Sequence, residues 1–237
     1  MLNRKYVICE PEDLRTLCVD KDWFTCGSIK QYDKLFAMNE DETILKSDLS
    51  GATDYMLCEM ATVIWVCSDG SYTFTEIYEE LKERQKQYYS DLVKYATKGI
   101  TIPTRTKFLE VAKDIPFTGG NRIWTRTIGY GFNSVCAVWN SPQSTGYEEY
   151  PVFQEAGIRP VLILDDNLDI PLYKSFSFGG YDWTMFDENL AICDKILTTS
   201  VFKHDDRAHA AEYEDSDVRN YVESWYIGVR KKLDGED

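Results

Sequence analysis

Two histidines are the residues whose chemistry is easiest to name, because imidazole can bind a metal ion or transfer a proton near neutral pH. They are His204 and His209, separated by two aspartates, an arginine and an alanine. A spacing of five places the two side chains on different faces of a helix, and the nearest further carboxylate is Glu212. We therefore interpret 204–209 as a solvated polar loop before the last helix.

Other short motifs offer ligands but lack the pattern that a known site requires. The acidic run 164–169 could hold calcium, yet it follows an apolar strand and precedes Pro171, which favours a simple turn. The glycine-rich runs 117–120 and 129–132 lack the Lys-Ser/Thr of a phosphate-binding loop. The sequence therefore predicts neither a metal site nor a cofactor.

The seven cysteines include no Cys-x-x-Cys pair, and their number is odd. None is paired in the sequence with a histidine that could act as its base. We interpret them as reduced core thiols, which indicates a cytosolic protein. Cys58 and Cys67 lie in an apolar stretch, and Cys136 lies on an apolar strand. With no catalytic residue predicted, the protein is expected not to be an enzyme.

The charge of the chain restricts its partners. The 237 residues include 40 acidic and 26 basic side chains, for a net charge of -14. Because phosphate backbones repel such a chain, direct binding to nucleic acid is not expected. The acidity serves either solubility or attraction to a basic surface of another protein. No apolar run is long enough for a membrane span or a signal peptide, so we expect a cytoplasmic protein.

Hydrophobic patterning predicts a helical domain over 1–97. Helices are indicated from Pro11 and from Ser28, and the stretch from Asp54 to Val66 is apolar almost all round, which is typical of a helix inside a bundle. Thr73-x-x-Glu76 matches a capping box that opens a long helix.

The remaining residues, 98–237, predict an α+β domain. A helix is expected over 103–113, and a last helix is expected to follow Asp215 as its N-cap. Short strands are predicted over 100–102, 123–127, 134–139, 158–164, 181–186 and 190–197.

Two motifs in this second half carry a resemblance to a known family. They read Ile-Trp-Thr-Arg-Thr-x-Gly at 123–129 and Gly-Ile-Arg-Pro-Val-Leu at 157–162. Together they are similar to the closing portion of a bacterial domain family of unknown function, which is common in gut Firmicutes and their phages. That family resembles the C-type-lectin-like fold of sulfatase-modifying-factor domains. The resemblance therefore implies a C-type-lectin-like domain for 98–237.

The opening elements of that family also have counterparts, but they follow the closing ones. Phe-Gly-Gly-Tyr-Asp-Trp at 178–183 resembles its first strand, and 214–221 resembles the start of its first helix. This order indicates a circular permutation, which neighbouring termini permit, or else fragments of two tandem copies. A permuted domain requires the segment from Phe178 to lie beside the strand ending near Leu164 in one mixed sheet.

Seven side chains of the second half are candidate binding residues. Arg126 and Arg159 lie on otherwise apolar strands, where a charge needs partners and serves either as a loop anchor or as a ligand contact. The others are aromatic residues of the loop-rich stretch that the resemblance implies is the ligand face. They either anchor a partner or are buried beneath the loops. These aromatic residues are Tyr130, Phe132, Trp139, Tyr147 and Tyr150.

These observations lead to an expected function. The N-terminal motifs are similar to a helical segment of phage and gut-Firmicute proteins, which implies a mobile-element context. We expect a non-enzymatic acidic binding protein in the cytoplasm of a bacterial host. Its charge favours inhibition of a host defence nuclease of the CRISPR type through a basic nucleic-acid-binding surface. The alternatives are a lectin-like module that binds a ligand or peptide, and an enzyme with an unrecognised site.

Overall fold

A computed structural model describes residues 52–67, 73–131, 133–168, 170–204 and 212–235. The helices predicted from Pro11 and Ser28 lie outside these residues. The chain divides into two compact units, Met1–Tyr88 and Tyr89–Asp237.

Two helices make up the described part of the first unit. Helix α1 covers Asp54–Cys67, and helix α2 covers Phe74–Ala96 and so continues into the second unit. The capping box predicted for α2 is confirmed, because the Thr73 N–H donates to Glu76 Oε2 (2.8 Å) and the Glu76 N–H donates to Thr73 Oγ1 (3.2 Å). The bonds that Glu76 accepts from Thr73, the backbone one first, lower the pKa of Glu76.

The apolar sequence of α1 predicts a helix enclosed within a bundle, and the structure shows a more one-sided burial. Leu57 and Ala61, four residues apart and therefore on one face, are buried. Tyr55 and Trp65, by contrast, are exposed. Helix α1 thus presents aromatic side chains to solvent.

Ten strands occur in the described part of the second unit. They are β1 (Thr97–Thr101), β2 (Ile123–Ile128), β3 (Ser134–Asn140), β4 (Thr145–Pro151), β5 (Glu155–Ile158), β6 (Val161–Leu164), β7 (Ser175–Phe178), β8 (Tyr181–Asp187), β9 (Leu190–Cys193) and β10 (Thr198–Val201).

The strands form two five-stranded sheets. Sheet one has the order β1-β6-β9-β8-β7, and sheet two has the order β10-β5-β2-β3-β4. Neighbouring strands are antiparallel, except that β2 and β5 pair in parallel. The α+β class predicted from the sequence is therefore confirmed.

Helices cover these sheets, and each begins at a side-chain cap. Helix α3 covers Arg105–Val111, and Thr104 Oγ1 accepts the Lys107 N–H (3.2 Å) at its start. Helix α4 covers Asp217–Leu233. The cap of α4 is Ser216, whose Oγ accepts the Arg219 N–H (3.0 Å), and not Asp215 as predicted. Asp215 belongs instead to the 3₁₀ turn that precedes the helix.

Three hydrophobic clusters in the described residues join these elements. One lies where α3 meets both sheets and contains Phe108, Val111, Ile123, Val138, Val161 and Ile192. A second packs Trp124 of sheet two against Val218 and Val222 of α4. The third packs Trp183 of sheet one against Tyr89 of α2. Because the first cluster takes residues from both sheets, it fixes the two sheets relative to each other.

Two predicted strands each contain a point where the chain crosses from one sheet to the other. The predicted strand 158–164 is interrupted at Arg159–Pro160, where Pro160 has no N–H for a ladder hydrogen bond. The predicted strand 190–197 ends at Cys193, and β10 begins in sheet two at Thr198. Each prediction was right for β6 or β9 and wrong in extending that strand through the crossing, because a mostly apolar run does not show where the chain leaves one sheet for the other.

Phe178 and Leu164 lie in the same sheet, since β7 and β6 both belong to sheet one with β8 and β9 between them. The sheet is antiparallel throughout, whereas a mixed sheet was expected.

Candidate functional site

The two crossings between the sheets lie side by side. The Cys193 N–H donates to the Pro160 carbonyl (3.0 Å), and the Leu197 N–H donates to the Ile158 carbonyl (2.9 Å). These backbone bonds place the 159–160 crossing against the 194–197 crossing. Their side chains therefore come from different strands but share one region at the junction of the sheets.

A third segment, the 117–121 part of the connection between α3 and β2, is held in place by Asn140. The Thr118 N–H donates to Asn140 Oδ1 (2.8 Å), and Thr118 Oγ1 donates to the Asn140 carbonyl (3.0 Å). Asn140 Nδ2 donates to the Ala112 carbonyl (2.7 Å), and Asn121 Nδ2 donates to the Thr118 carbonyl (2.9 Å). Asn140 is fully buried, so this network rigidifies the segment.

These three segments enclose a cavity of about 340 Å³. Its lining consists of apolar, polar and charged side chains, namely Phe117, Thr118, Asn121, Arg159, Asp194, Lys195 and Ile196. A concave site with a few convergent polar groups in an apolar frame is the usual form of a small ligand site.

Arg159 is the unusual residue of this cavity. Its side chain is 1% exposed, and its Nε donates to the Cys193 carbonyl (2.6 Å). Neither Nη1 nor Nη2 has a hydrogen-bond partner among the residues that the structure describes. Burial lowers the pKa of Arg159 to about 10, against the opposing effect of the Asp194 carboxylate. The guanidinium is therefore still charged at neutral pH, and a buried charge without partners is costly.

Asp194 and Lys195 add one negative and one positive charge beside Arg159. Thr184 Oγ1 donates to Asp194 Oδ1 (2.7 Å), and the Asp194 N–H donates to the Asp182 carbonyl (2.8 Å). The Asp194 carboxylate is thereby fixed in position, while Lys195 is exposed. The three charged groups of the cavity sum to +1 at neutral pH.

The cysteine next to the cavity does not supply a nucleophile. Cys193 is buried, and burial raises the pKa of its thiol to about 11. Because the thiolate is the reactive form, Cys193 is inert at neutral pH. Cys136 is buried as well, as predicted, and burial likewise raises the pKa of its thiol. Cys58, by contrast, is exposed on α1, so the prediction of a core thiol was wrong there. The cavity instead offers hydrogen-bond donors, Nη1 and Nη2 of Arg159, that are suited to an anion.

Of the seven predicted site residues, Arg159 alone lines the cavity. Arg126 lies on β2 and is exposed, although its apolar neighbours suggested a buried charge. Tyr130 follows β2 and is 93% exposed. Phe132 lies outside the described residues.

The remaining three predicted residues lie on β3 and β4 and face different ways. Tyr147 is half-exposed, with the Arg105 guanidinium 4.7 Å from its ring centroid. Tyr150 packs on Trp124, at 5.5 Å between ring centroids, and so contributes to the core. Trp139 is partly buried and lies against Gly146. The structure therefore does not bring the predicted aromatic residues together into one surface.

Sequence reasoning missed the other residues of the cavity. Arg159 was identified because it is a charged residue inside an apolar run. Asp194 and Lys195 also interrupt an apolar run, so the same signal could have identified them. The run 117–120 was considered only as a phosphate-binding loop, whereas its Phe117 and Thr118 line the cavity.

The histidine and aspartate motifs have structural roles where they are described. His204 contacts Asp217 at the start of α4 (Nδ1 to Oδ2, 2.7 Å), whereas His209 lies outside the described residues. Asp165 Oδ1 accepts the Asn167 N–H (3.1 Å), an arrangement typical of the turn that was predicted there. Within the described residues, no three histidine, cysteine or acidic side chains meet in a group that could hold a metal ion.

Comparison with models of known families, with curated proteins and with solved structures gives no significant match for this chain. In the part of the chain that the structure describes, every helix is too short or too polar to span a membrane.

Proposed function

We propose that this chain is a non-enzymatic binding protein that recognises an anionic group in the cavity between its two sheets. The observation that carries the proposal is the pair of unpartnered guanidinium nitrogens on Arg159, which is buried in the wall of that cavity. An anion hydrogen-bonded to both nitrogens would supply the partners that the protein does not. Of the functions expected from the sequence, this corresponds to the ligand- or peptide-binding module.

The test is stabilisation of the full chain by simple anions. We expect acetate, sulfate or phosphate, compared at constant ionic strength, to raise the unfolding temperature, because a ligand that binds only the folded state stabilises it. Arg159→Met should abolish the shift, and Arg126→Met should leave it intact, since Arg126 is an exposed arginine away from the cavity. Equal shifts in wild type and Arg159→Met would contradict the proposal.

A second candidate function rests on the net charge of -14. Such a chain is attracted to a basic nucleic-acid-binding surface, and we propose as the alternative that it inhibits a host nuclease of the CRISPR type. Two exposed carboxylates, Asp166 and Glu188, lie near each other at an end of sheet one. There Asn189 Nδ2 donates to Asp166 Oδ1 (2.7 Å), which brings Asp166 close to the turn that contains Glu188.

Salt dependence tests this second candidate. A complex with a basic nuclease should weaken steeply as sodium chloride is added, and the double substitution Asp166→Asn with Glu188→Gln should weaken it further at low salt. The matched control is Asp114→Asn with Glu155→Gln, which removes two exposed charges elsewhere. Failure to bind any nucleic-acid-handling protein at low salt would reject this candidate.

We infer that the second unit is a circularly permuted relative of the C-type-lectin-like domain. The inference is supported by the presence of Phe178 and of the strand ending at Leu164 in one sheet, where β9 and β8 lie between β6 and β7. An experimental structure of a family member in the usual order would test it, since its first and last strands should superpose on β7–β8 and on β5–β6.

A further inference from the structure

We propose that the ligand of this cavity is a carboxylate with a single negative charge, attached to a small apolar group. This inference rests on the proposed anion-binding function and specifies its chemistry. Two kinds of molecule carry such a carboxylate, namely a free organic acid and the C-terminus of a peptide chain. Three features of the cavity lead to it: the donors that Arg159 has left, the charges beside it, and its size and lining.

The donors that Arg159 has left match a carboxylate. Its Nε is already used by the Cys193 carbonyl at 2.6 Å, so Nη1 and Nη2 remain. These two nitrogens lie side by side in the plane of the guanidinium, and they carry N–H groups that point in parallel. The two oxygens of a carboxylate have the matching spacing and plane, which allows two parallel hydrogen bonds.

The charges favour a monoanion over a dianion. Arg159 and Lys195 contribute two positive charges to the lining, and Asp194 contributes one negative charge. One further negative charge makes the site neutral. A phosphate monoester, which carries nearly two charges at neutral pH, would place excess negative charge near Asp194. Asp194 Oδ1 accepts from Thr184 Oγ1, so rotating the carboxylate away to relieve this repulsion would break that bond.

The size and the apolar part of the lining restrict the rest of the ligand. A volume of about 340 Å³ is at the lower end of the range for ligand sites, which starts at roughly 300 Å³. Phe117 and Ile196 supply apolar surface, whereas Thr118 Oγ1 and Asn121 Nδ2 already donate to carbonyls of the protein. A small apolar group beside the carboxylate therefore fits better than a sugar with many hydroxyls.

Access to Arg159 requires side chains to move. Because Arg159 is 1% exposed, a ligand reaches its terminal nitrogens only after neighbouring side chains are displaced. Phe117, 48% exposed, and Lys195, also exposed, lie on connecting segments of the lining and are the side chains with room to move. Binding should therefore be slower than a diffusion-limited encounter.

The test is isothermal titration of the full chain with matched acids and amides. The free acid is phenylacetate, and its neutral control is phenylacetamide. A tetrapeptide that ends in phenylalanine with a free carboxylate, together with its C-terminal amide, represents the peptide source. Phenyl phosphate represents the dianion. We expect at least one acid to bind about tenfold or more tightly than its amide and than phenyl phosphate.

Substitutions at two arginines test whether the acid binds at Arg159. Arg159→Met should abolish binding of the acid, Arg159→Lys should weaken it by about tenfold or more because the lysine lacks the planar fork, and Arg126→Met should leave it unchanged. Binding of phenylacetate assigns a free organic acid as a source, and binding of the peptide acid alone assigns a chain terminus.

Two results would overturn the inference in different ways. Tighter binding of phenyl phosphate than of the acids, with loss in Arg159→Met, would reject the carboxylate and retain the proposed anion-binding function. Binding of no anion at all, or binding that Arg159→Met leaves intact, would reject both. The comparison of acid with amide uses the unaltered chain, so it decides the question even where a variant folds poorly.

Discussion

At the scale of single residues, two buried polar side chains of the second unit differ in how their hydrogen-bonding groups are used. Asn140 accepts from Thr118 and donates to the Ala112 carbonyl, so its amide has partners on both sides. Arg159 has one partner for three nitrogens. A polar group that only stabilises a fold is normally satisfied by it. The contrast indicates that Asn140 maintains the structure, and it supports the proposal that Arg159 contacts an anion.

This difference predicts the stability of an Arg159 variant. Arg159→Met removes a buried charge and loses one hydrogen bond to the Cys193 carbonyl, so we expect the free energy of unfolding to stay within about 1 kcal/mol of wild type or to rise by up to about 2 kcal/mol. Urea unfolding without ligand measures it. A decrease of more than about 2 kcal/mol would mean that Arg159 stabilises the fold directly.

The sequence analysis predicted Arg159 as a site residue but missed Asp194 and Lys195, which line the same cavity. A charge inside the apolar run 157–164 stands out, and a bulky cation there needs an explanation. Asp194 and Lys195 lie within the predicted strand 190–197, and no binding role was predicted for them. The aromatic residues Tyr130 and Tyr147 were equally visible, yet sequence spacing does not reveal which face of a strand is covered.

At the scale of secondary-structure elements, the site depends on how closely the 194–197 crossing passes β5, the strand that pairs in parallel with β2. Gly157 of β5 pairs with Ile123 of β2, and its N–H donates to the Arg122 carbonyl (2.9 Å). A Cβ added at Gly157 would lie 2.8 Å from Ile196 Cγ2 and 3.2 Å from the Arg122 carbonyl oxygen. Glycine at position 157 therefore allows the 194–197 crossing to lie this close to β5.

Substitution of Gly157 should accordingly affect both stability and the cavity. We expect Gly157→Ala to lower the free energy of unfolding by about 1–3 kcal/mol and to weaken anion binding, because Ile196 lines the cavity and must shift. Gly99→Ala is the matched control in β1, where the added Cβ would meet its nearest atom at 3.9 Å. Thermal unfolding and anion titration of both variants check the prediction, and equal effects of the two substitutions would contradict it.

Elements with a clear pattern were predictable, and the crossings were not. The capping box of α2, the helix α3 and the strands β2, β3 and β8 follow from local residue patterns that act over a few positions. The passage from one sheet to the other depends on which partner strand is nearest, which is a non-local property. Since these passages build the cavity, the sequence could single out its charged residues one by one but not their meeting at one place.

At the scale of the whole molecule, the net charge of -14 makes the state of the carboxylates important for stability. The Lys107 ammonium, 2.7 Å from Asp187 Oδ2, lowers the pKa of Asp187 below its ordinary value of 3.8. Burial raises the pKa of Asp217, but the hydrogen bonds from His204 outweigh burial and lower it overall. The Asn167 N–H lowers the pKa of Asp165.

These shifts predict loss of stability in acid. A carboxylate whose pKa is lower in the folded than in the unfolded protein stabilises the fold above its unfolded pKa, and this contribution disappears as pH falls through the folded pKa. We expect the urea midpoint to be level near neutral pH and to fall below about pH 4. Asp187→Asn should reduce the midpoint at neutral pH and flatten its acid limb, while Asp114→Asn, an exposed control, should follow wild type.

Strand β4 pairs with β3 along one edge and has no strand on its other edge in the part of the chain described. An open edge invites another chain to add a strand, which is a route to aggregation. Adjacent glutamates, Glu148 and Glu149, lie in the middle of β4, and Pro151 ends it. A second copy pairing antiparallel about this point would set carboxylate against carboxylate, which repels. The acidic centre of β4, of which Glu148 pairs with Arg122 and Glu149 remains uncompensated by a basic side chain in the ion pairs of the described residues, therefore opposes self-association along this edge.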